Sequence, residues 1–356
     1  MCMNKLIRIY LFLVLIIISG NVIGQDQGFS QFFNNPVYYN PANVGLSKGL
    51  IARFSYRNQW PGLNNDLTSY NFSLEVSERN IPGMGGVGLL FSSSDYGLQL
   101  LSTSMLGVIT SVRIPVSQNM VSQFGAMVSF TQKKINWDDL VFSDQLDPRY
   151  GNINPTSFSH PNAQNISFAD VNLGGVLQGK FNNITSTFGI AAHHLFQPNE
   201  SFIDGSAPLA RRFVIHGDLI FDNKNSSKSV SSAKLNMKIN PGFILENQAG
   251  LNKYAIGLNM LFENLYTGFW FRNEEFSFLN YTSITLLAGL YIPLSNKNTM
   301  KVMYSYDLAI SKFYAGSGGA HEVHITISFD DINLFSWKND FQVYRKRGDV
   351  LECSPF

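Results

Sequence analysis

Residues 322–329 read Glu-Val-His-Ile-Thr-Ile-Ser-Phe, a strict alternation of polar and apolar side chains that closes on an aromatic. A period of two places Val323, Ile325, Ile327 and Phe329 on one face of a strand and Glu322, His324, Thr326 and Ser328 on the other. Taken alone, such a strand suits a soluble sandwich or a membrane barrel with lipid outside and a wet lumen inside. The windows that repeat the pattern decide between them. Leu50, Ala52, Phe54 and Tyr56 alternate with Ile51, Arg53 and Ser55, and Tyr70, Phe72, Leu74 and Val76 with Asn71, Ser73 and Glu75. Phe213, Ile215, Leu219 and Phe221 alternate with Arg212, His216 and Asp218, and Leu235, Met237 and Ile239 with Asn236 and Lys238. Val302, Tyr304, Tyr306 and Leu308 alternate with Lys301, Met303, Ser305 and Asp307. Further windows near 85–92, 101–113, 119–133, 170–179, 184–194, 253–262, 265–272 and 283–291 bring the total to roughly fourteen strands.

Composition narrows the class. Charged residues make up 14% of the chain, against a usual ~25%, while aromatics reach 13%. After the N-terminus no apolar run approaches the ~20 residues of a spanning helix. A chain this apolar without spanning helices points to strands in lipid. The net charge of +1 offers no basis for nucleic-acid binding, and no basic stripe with stacking aromatics is present.

Lys5 and Arg8 precede an apolar run at 9–18, and Val22-Ile23-Gly24 ends on a small residue. This pattern predicts a secretory signal over 1–24, cleaved after Gly24. Cys2 would leave with it, so only Cys353 remains and no intramolecular disulfide is expected. A closed hydrogen-bonded barrel supplies stability without one.

The connections between windows differ by parity. The even links, at 77–83, 115–118, 180–183, 263–264 and 293–299, are mostly turn-like, with the stretch around 223–232 a mild exception. The odd links, at 57–68, 93–100, 134–169, 195–211, 241–252, 273–282 and 309–321, tend to be longer. Outer-membrane barrels have short periplasmic turns and longer outer loops, and an even strand number is expected to leave both the N- and the C-terminus on the periplasmic side. The expected organisation is therefore an all-β transmembrane barrel over 50–329, with a polar lumen, an N-terminal segment at 25–49 and a periplasmic tail at 330–356.

Candidate motifs are weak against this background. Gly83-Met84-Gly85-Gly86-Val87-Gly88 fits a dinucleotide-binding string but leads into a strand, so it reads as a glycine-rich turn. Gly45-Leu46-Ser47-Lys48-Gly49 fits a nucleophile elbow but precedes a strand, so it too reads as a turn. His193 and His194 are adjacent, and adjacent strand residues point to opposite faces, which argues against shared metal ligation. Asp138, Asp139, Asp144 and Asp147 crowd one outer loop with a spacing that matches no calcium loop. No catalytic constellation, cofactor site or metal site is expected.

After the signal the chain reads Gln25-Asp26-Gln27-Gly28-Phe29-Ser30-Gln31-Phe32-Phe33-Asn34-Asn35-Pro36-Val37-Tyr38-Tyr39-Asn40-Pro41-Ala42. Tyr56-Arg57-Asn58-Gln59-Trp60, Asp95-Tyr96-Gly97, Ser305-Tyr306-Asp307-Leu308 and Gly318-Gly319-Ala320-His321-Glu322 follow in order. Together these resemble the PorP/SprF family of type IX secretion system membrane proteins of Bacteroidetes, across nearly the whole mature chain. The tail Cys353-Ser354-Pro355-Phe356 departs from the family's C-P-R-F-like ending. The resemblance implies a non-enzymatic outer-membrane barrel that serves type IX secretion or gliding motility. Its partners would be a large secreted adhesin or other cargo, periplasmic and outer-membrane secretion components, and outer-membrane lipids. A transporter of long-chain fatty acids or other hydrophobic small molecules is the alternative, and would need an apolar pocket in the barrel.

Two sets of residues are candidates for partner binding. Arg57, Gln59 and Trp60 leave the first strand window where the chain crosses to the outside, so they are expected at the extracellular rim; Trp60 there serves either as a partner anchor or as loop packing. Phe29, Phe32, Phe33, Tyr38 and Tyr39 are too many aromatics to leave in water. Their segment is expected to fold into or across the periplasmic mouth as a plug, or to meet a periplasmic partner.

Overall fold

The computed structural model describes residues 26–330 except 64–65, 79–82, 98, 160–163, 204, 223–236, 274–282, 296 and 311–316. The expected signal at 1–24, residues 331–356, Leu235 and Asn236 lie outside the described residues. Fourteen antiparallel strands close into one barrel. In chain order they are β1 Leu50–Gln59, β2 Leu67–Ser77, β3 Met84–Tyr96, β4 Leu101–Ser117, β5 Met120–Ile135, β6 Asn165–Phe181 and β7 Ile184–His193. The second half comprises β8 Arg212–Asp222, β9 Met237–Gln248, β10 Leu251–Phe262, β11 Leu265–Asn273, β12 Ser283–Pro293, β13 Asn298–Ala309 and β14 Ala320–Phe329. Each strand pairs with its sequence neighbours, and β1 closes on β14 from Leu50↔Phe329 to Gln59↔Ala320. No described helix is long and apolar enough to cross a membrane.

The alternation sets the faces. Phe72 and Phe213 are 41% and 50% exposed on the outside, and Leu74, Ile325 and Ile327 share that outer face. Glu75, Asp307, Glu322 and His324 are buried inward, and Arg53 pairs with Glu75 in the lumen. Apolar surface outside and paired polar groups inside are what a barrel in lipid needs, since hydrocarbon cannot satisfy a polar side chain.

Strands β4, β5 and β6 run 17, 16 and 17 residues, whereas β1 and β7 have 10. A tilted membrane strand needs only ~9–11 residues, so this side of the wall rises beyond the membrane. It carries the longest connection, residues 136–164, in which Leu146–Asp147 pairs with Gly151–Asn152. Within it the acidic cluster caps turns: Asp144 accepts from the Ser157 amide at 2.6 Å, and Asp147 from the Arg149 and Tyr150 amides.

Two connections are shorter than the sequence pattern suggests. Strand β3 runs on to Tyr96, leaving 97–100 as the link, and β9 runs through Pro241 to Gln248, leaving 249–250. Proline lacks an amide donor and ordinarily breaks a central strand. Here the β8–β9 ladder is interrupted between Asp218↔Gly242 and Phe221↔Ile239, where Pro241 would have donated. The Asn240 side-chain amide takes over, donating to the Leu219 carbonyl at 3.2 Å and to Asp218 at 2.9 Å. Apart from the even link at 223–236, which is longer than several of them, the remaining odd links are the longer ones. Most of the long connections therefore lie at one end of the barrel, the long-loop end, and most of the tight turns at the other, the short-turn end.

Candidate functional site

The lumen is occupied by the protein's own N-terminal segment, residues 26–49. Asn35-Pro36 and Asn40-Pro41 break it into single turns: a 3₁₀ turn Phe32–Asn34, a helical turn Pro36–Tyr39 and a 3₁₀ turn Pro41–Asn43. Proline at the first helical position starts the second and third turns, and the Asn40 side chain accepts from the Ala42 amide at 2.9 Å. Turns this short do not satisfy their own backbone, so the barrel wall must.

At the long-loop end Asp26 meets His194 Nε2 at 2.6 Å and Arg212 at 3.5 Å, and its amide donates to Gln248 at 2.9 Å. The other ring nitrogen of His194 meets Asp170 at 2.7 Å. Burial works against a charged His194, but the Asp26 and Asp170 carboxylates outweigh it and raise the imidazole to about 9. Burial likewise works against the Asp26 carboxylate, yet His194 and Arg212 hold it well below the usual carboxylate range. His194 turns inward beside His193 because it sits past the strand end at φ +57°. Strand alternation therefore does not apply to the pair: His193 reaches the Tyr39 carbonyl while His194 clasps Asp26.

Deeper in, Glu322 accepts from the backbone amides of Ser30 and Gln31 at 2.7 and 3.1 Å. Arg57 pairs with Asp307 at 2.9 Å and Glu322 at 3.3 Å, and Arg272 reaches Asp307 at 3.1 Å. The Ser30 hydroxyl sits between Asp307 and Arg57. Further along, Lys301 donates to Asn34 at 2.7 Å, and Asn35 accepts from Ser55 and Asn71 at 2.8 and 3.0 Å.

Toward the short-turn end the seat is shaped rather than charged. Gln123 donates to the Ala42 and Val44 carbonyls at 2.8 and 2.7 Å, and Ser111 to Val44 at 2.8 Å. Asn40 donates to the Gly175 and Ile190 carbonyls, both at 3.2 Å. Gly125 and Gly174 are inward-facing and carry no side chain because the segment lies directly on them. A Cβ at Gly125 would overlap the Pro41 carbonyl, and one at Gly174 the Asn40 side chain. The Gly83–Gly88 run contributes in the same way: it is a turn at Gly83 only, and Gly85 and Gly86 lie in β3 against Gly45.

The aromatics form the core of the plug. Phe29, Tyr38 and Tyr39 are buried, and the Tyr39 hydroxyl accepts from the Phe29 amide and donates to its carbonyl. Phe32 meets Trp270 edge-on at 4.8 Å, Phe33 stacks on it at 5.3 Å, and the Arg212 guanidinium lies over both tyrosine rings. Aromatic and cation–π contacts of this kind add to the area buried.

The segment separates two vestibules. One, of about 390 Å³, opens toward the short-turn end and is lined by Phe33, Tyr39, Lys48, Arg53, Asp218 and Lys301 among others. The other, of about 750 Å³ at the long-loop end, brings Arg57, Gln59, Trp60, Phe29 and Phe32 together with Asp26 and Tyr96. Two expectations are corrected. Arg57 is not a rim residue: its side chain points inward, is only 5% exposed and is held by two carboxylates. Nor does the segment stop at the short-turn mouth. It runs the length of the lumen, and Asp26 stands at the opposite end from Leu50, so the first described residue does not share an end with the start of β1. Strand count fixes where β1 begins, not where the chain before it runs. Trp60 does lie at the long-loop mouth, 37% exposed, with its amide bonded to the Gly319 carbonyl at 2.7 Å.

Gln123, His194 and Arg212 were not legible as plug contacts, because nothing local in a strand marks which lumen residue meets the segment.

No curated protein matches the sequence. Among solved structures the barrel is similar to the TodX deltaS2S3 mutant monoaromatic hydrocarbon channel, at 9% identity and a TM-score of 0.51, covering 83% of this chain and 94% of that one. It is also similar to the Ralstonia pickettii toluene transporter TbuX, at 8% identity, TM-score 0.45 and coverage of 83% and 92%. A Pseudomonas aeruginosa FadL homologue aligns at 10% identity, TM-score 0.41 and coverage of 83% and 94%. At these identities the likeness concerns the outer-membrane barrel fold alone. The family model for type IX secretion system membrane protein PorP/SprF matches residues 21–327. That match spans the threaded segment and all but the last residues of the barrel, and the chain belongs to the PorP/SprF family of type IX secretion system membrane proteins.

Proposed function

We propose that this protein is a non-enzymatic outer-membrane docking barrel, which supports export or surface attachment of a large partner adhesin or assembly of the secretion apparatus. The observation that carries the reading is the filled lumen. A segment tied to the wall at several levels fills the lumen between the two vestibules, so the useful surfaces are the two mouths. In this reading the long loops face the cell exterior and the short turns and the 330–356 tail face the periplasm. Gln59 and Trp60 form the partner-contacting edge of the outer vestibule. Arg57, Phe29, Phe32, Phe33, Tyr38 and Tyr39 act behind them by holding the vestibule floor in shape.

The transporter alternative is less well supported. Ligand sites for hydrophobic molecules are mostly apolar. Here apolar residues are interspersed with charged ones in both: Phe33, Ile51 and Trp270 with Arg53, Asp218 and Lys301 in the short-turn vestibule, and Phe29, Phe32 and Trp60 with Asp26, Arg57 and Lys253 in the long-loop one.

Co-purification of the tagged protein from native outer membrane tests the docking role. Wild type should bring down one abundant secreted protein or secretion component, and Trp60→Ala should lose it while the barrel still assembles. If Trp60→Ala changes neither assembly nor retention, Trp60 has no part in docking. Recovery of a stoichiometric hydrophobic small molecule instead of a polypeptide would favour the transporter.

A further inference from the structure

We infer that the amino-terminal end of the mature chain is displayed at the cell-surface mouth and forms one wall of the docking surface there. This rests on the orientation proposed above, with long loops outside. Asp26 is held by His194, Arg212 and Gln248, at the ends of β7, β8 and β9 that share a mouth with the long 136–164 and 194–211 connections. The chain then descends past Glu322 and Asp307, Asn35 and Asn40, and leaves at the opposite end, where Gly45 and Gly49 bond to Glu75 and Ser77. Gln27 and Phe29 line the long-loop vestibule across from Gln59, Trp60 and Tyr96. The Gln27 side-chain amide is buried there without a hydrogen-bond partner. A buried donor left unpaired is costly, and a backbone carbonyl of an exported polypeptide entering the vestibule would satisfy it. The N-terminal residues are thus part of the surface such a partner meets, not a periplasmic tether.

The test uses the full-length protein in its native membrane. An epitope inserted between Gln25 and Asp26 should bind antibody on intact cells, as should the same epitope inserted after Tyr150 in the 136–164 connection. An epitope after Lys48 should bind only once the outer membrane is permeabilised. In parallel, Gln27→Cys in a Cys353→Ser background should react with a membrane-impermeant maleimide on intact cells, which guards against an inserted epitope that blocks assembly. If the Tyr150 site is reached on intact cells but the Asp26 and Gln27 sites need permeabilisation, the display is overturned and the orientation stands. If Lys48 is reached on intact cells and Tyr150 is not, the orientation is wrong and the display falls with it.

Discussion

The two halves of the threaded segment are held by different physics. From Asp26 to Gln31 the contacts are charges: Asp26 with His194 and Arg212, and Ser30 and Gln31 on a cluster of Arg57, Arg272, Asp307 and Glu322. From Asn40 to Gly49 they are mainly fit: bare glycines under the chain, and neutral Gln123 and Ser111 donating to its carbonyls, with one charged contact where the Gly45 amide meets Glu75. Fit is indifferent to pH and salt, whereas desolvated charges are strong only while every partner is present and correctly ionised. The lumen therefore has one end whose hold on the segment depends strongly on conditions and one end whose hold depends on them much less.

The largest effect should come from Arg57→Ala. It leaves Asp307 and Glu322 buried without their shared cation, a loss of about 3–5 kcal/mol for breaking a buried pair. The denaturant midpoint of the purified barrel should fall accordingly, and Arg57→Lys should restore little, because one ammonium cannot copy a guanidinium that reaches both carboxylates. A midpoint unchanged in Arg57→Ala would show that the charged half contributes nothing.

Gly125→Val attacks the other half. Overpacking costs roughly 1–3 kcal/mol, and here the clash is with the Pro41 backbone, which has no rotamer to yield. We expect the segment to leave its seat, which protease cleavage within 40–49 would report. A protected segment in this variant would mean that the glycines are incidental.

Alkaline pH should separate the halves more gently. The folded His194 value of about 9 lies above the ordinary 6.5, so its contribution is complete below 6.5 and is lost as pH rises through 9. Asp26 is shifted the other way, so its contribution is present above 3.8 and declines only in acid. Hydrogen exchange at pH 10 relative to pH 6.5, corrected for intrinsic rates, should accelerate at 26–29 and not at 42–46. His194→Gln should remove that difference, and equal acceleration of both stretches would contradict the division.

Trp60→Ala should have the smallest effect on the barrel itself, ~1 kcal/mol, because Trp60 is 37% exposed at the mouth, while still weakening partner retention. A large fall in the denaturant midpoint would reassign Trp60 to loop packing.

The wall of this molecule was legible because each strand states its own faces, as 322–329 does. The aromatic content of 25–49 likewise announced a buried segment. Its direction was not legible, since His194, Glu322 and Gln123 come from strands far apart in sequence and converge only when the barrel closes. The glycine seat was hidden for a similar reason: a lone glycine in a strand, such as Gly125 or Gly174, looks the same whether it marks a bulge or a close approach. Pro241 argued for a loop because the rescue by Asn240 depends on its neighbouring strand. Arg57 looked like a rim residue because its distance from the strand end was visible and its two carboxylate partners were not.

The central claim is that the barrel is closed by its own N-terminal segment, and ion conductance across a planar lipid bilayer tests it most directly. Purified full-length protein should insert with little or no current, and a variant lacking residues 26–44 should show steady open-pore steps. Equal currents from the two proteins would contradict a lumen sealed by the threaded chain.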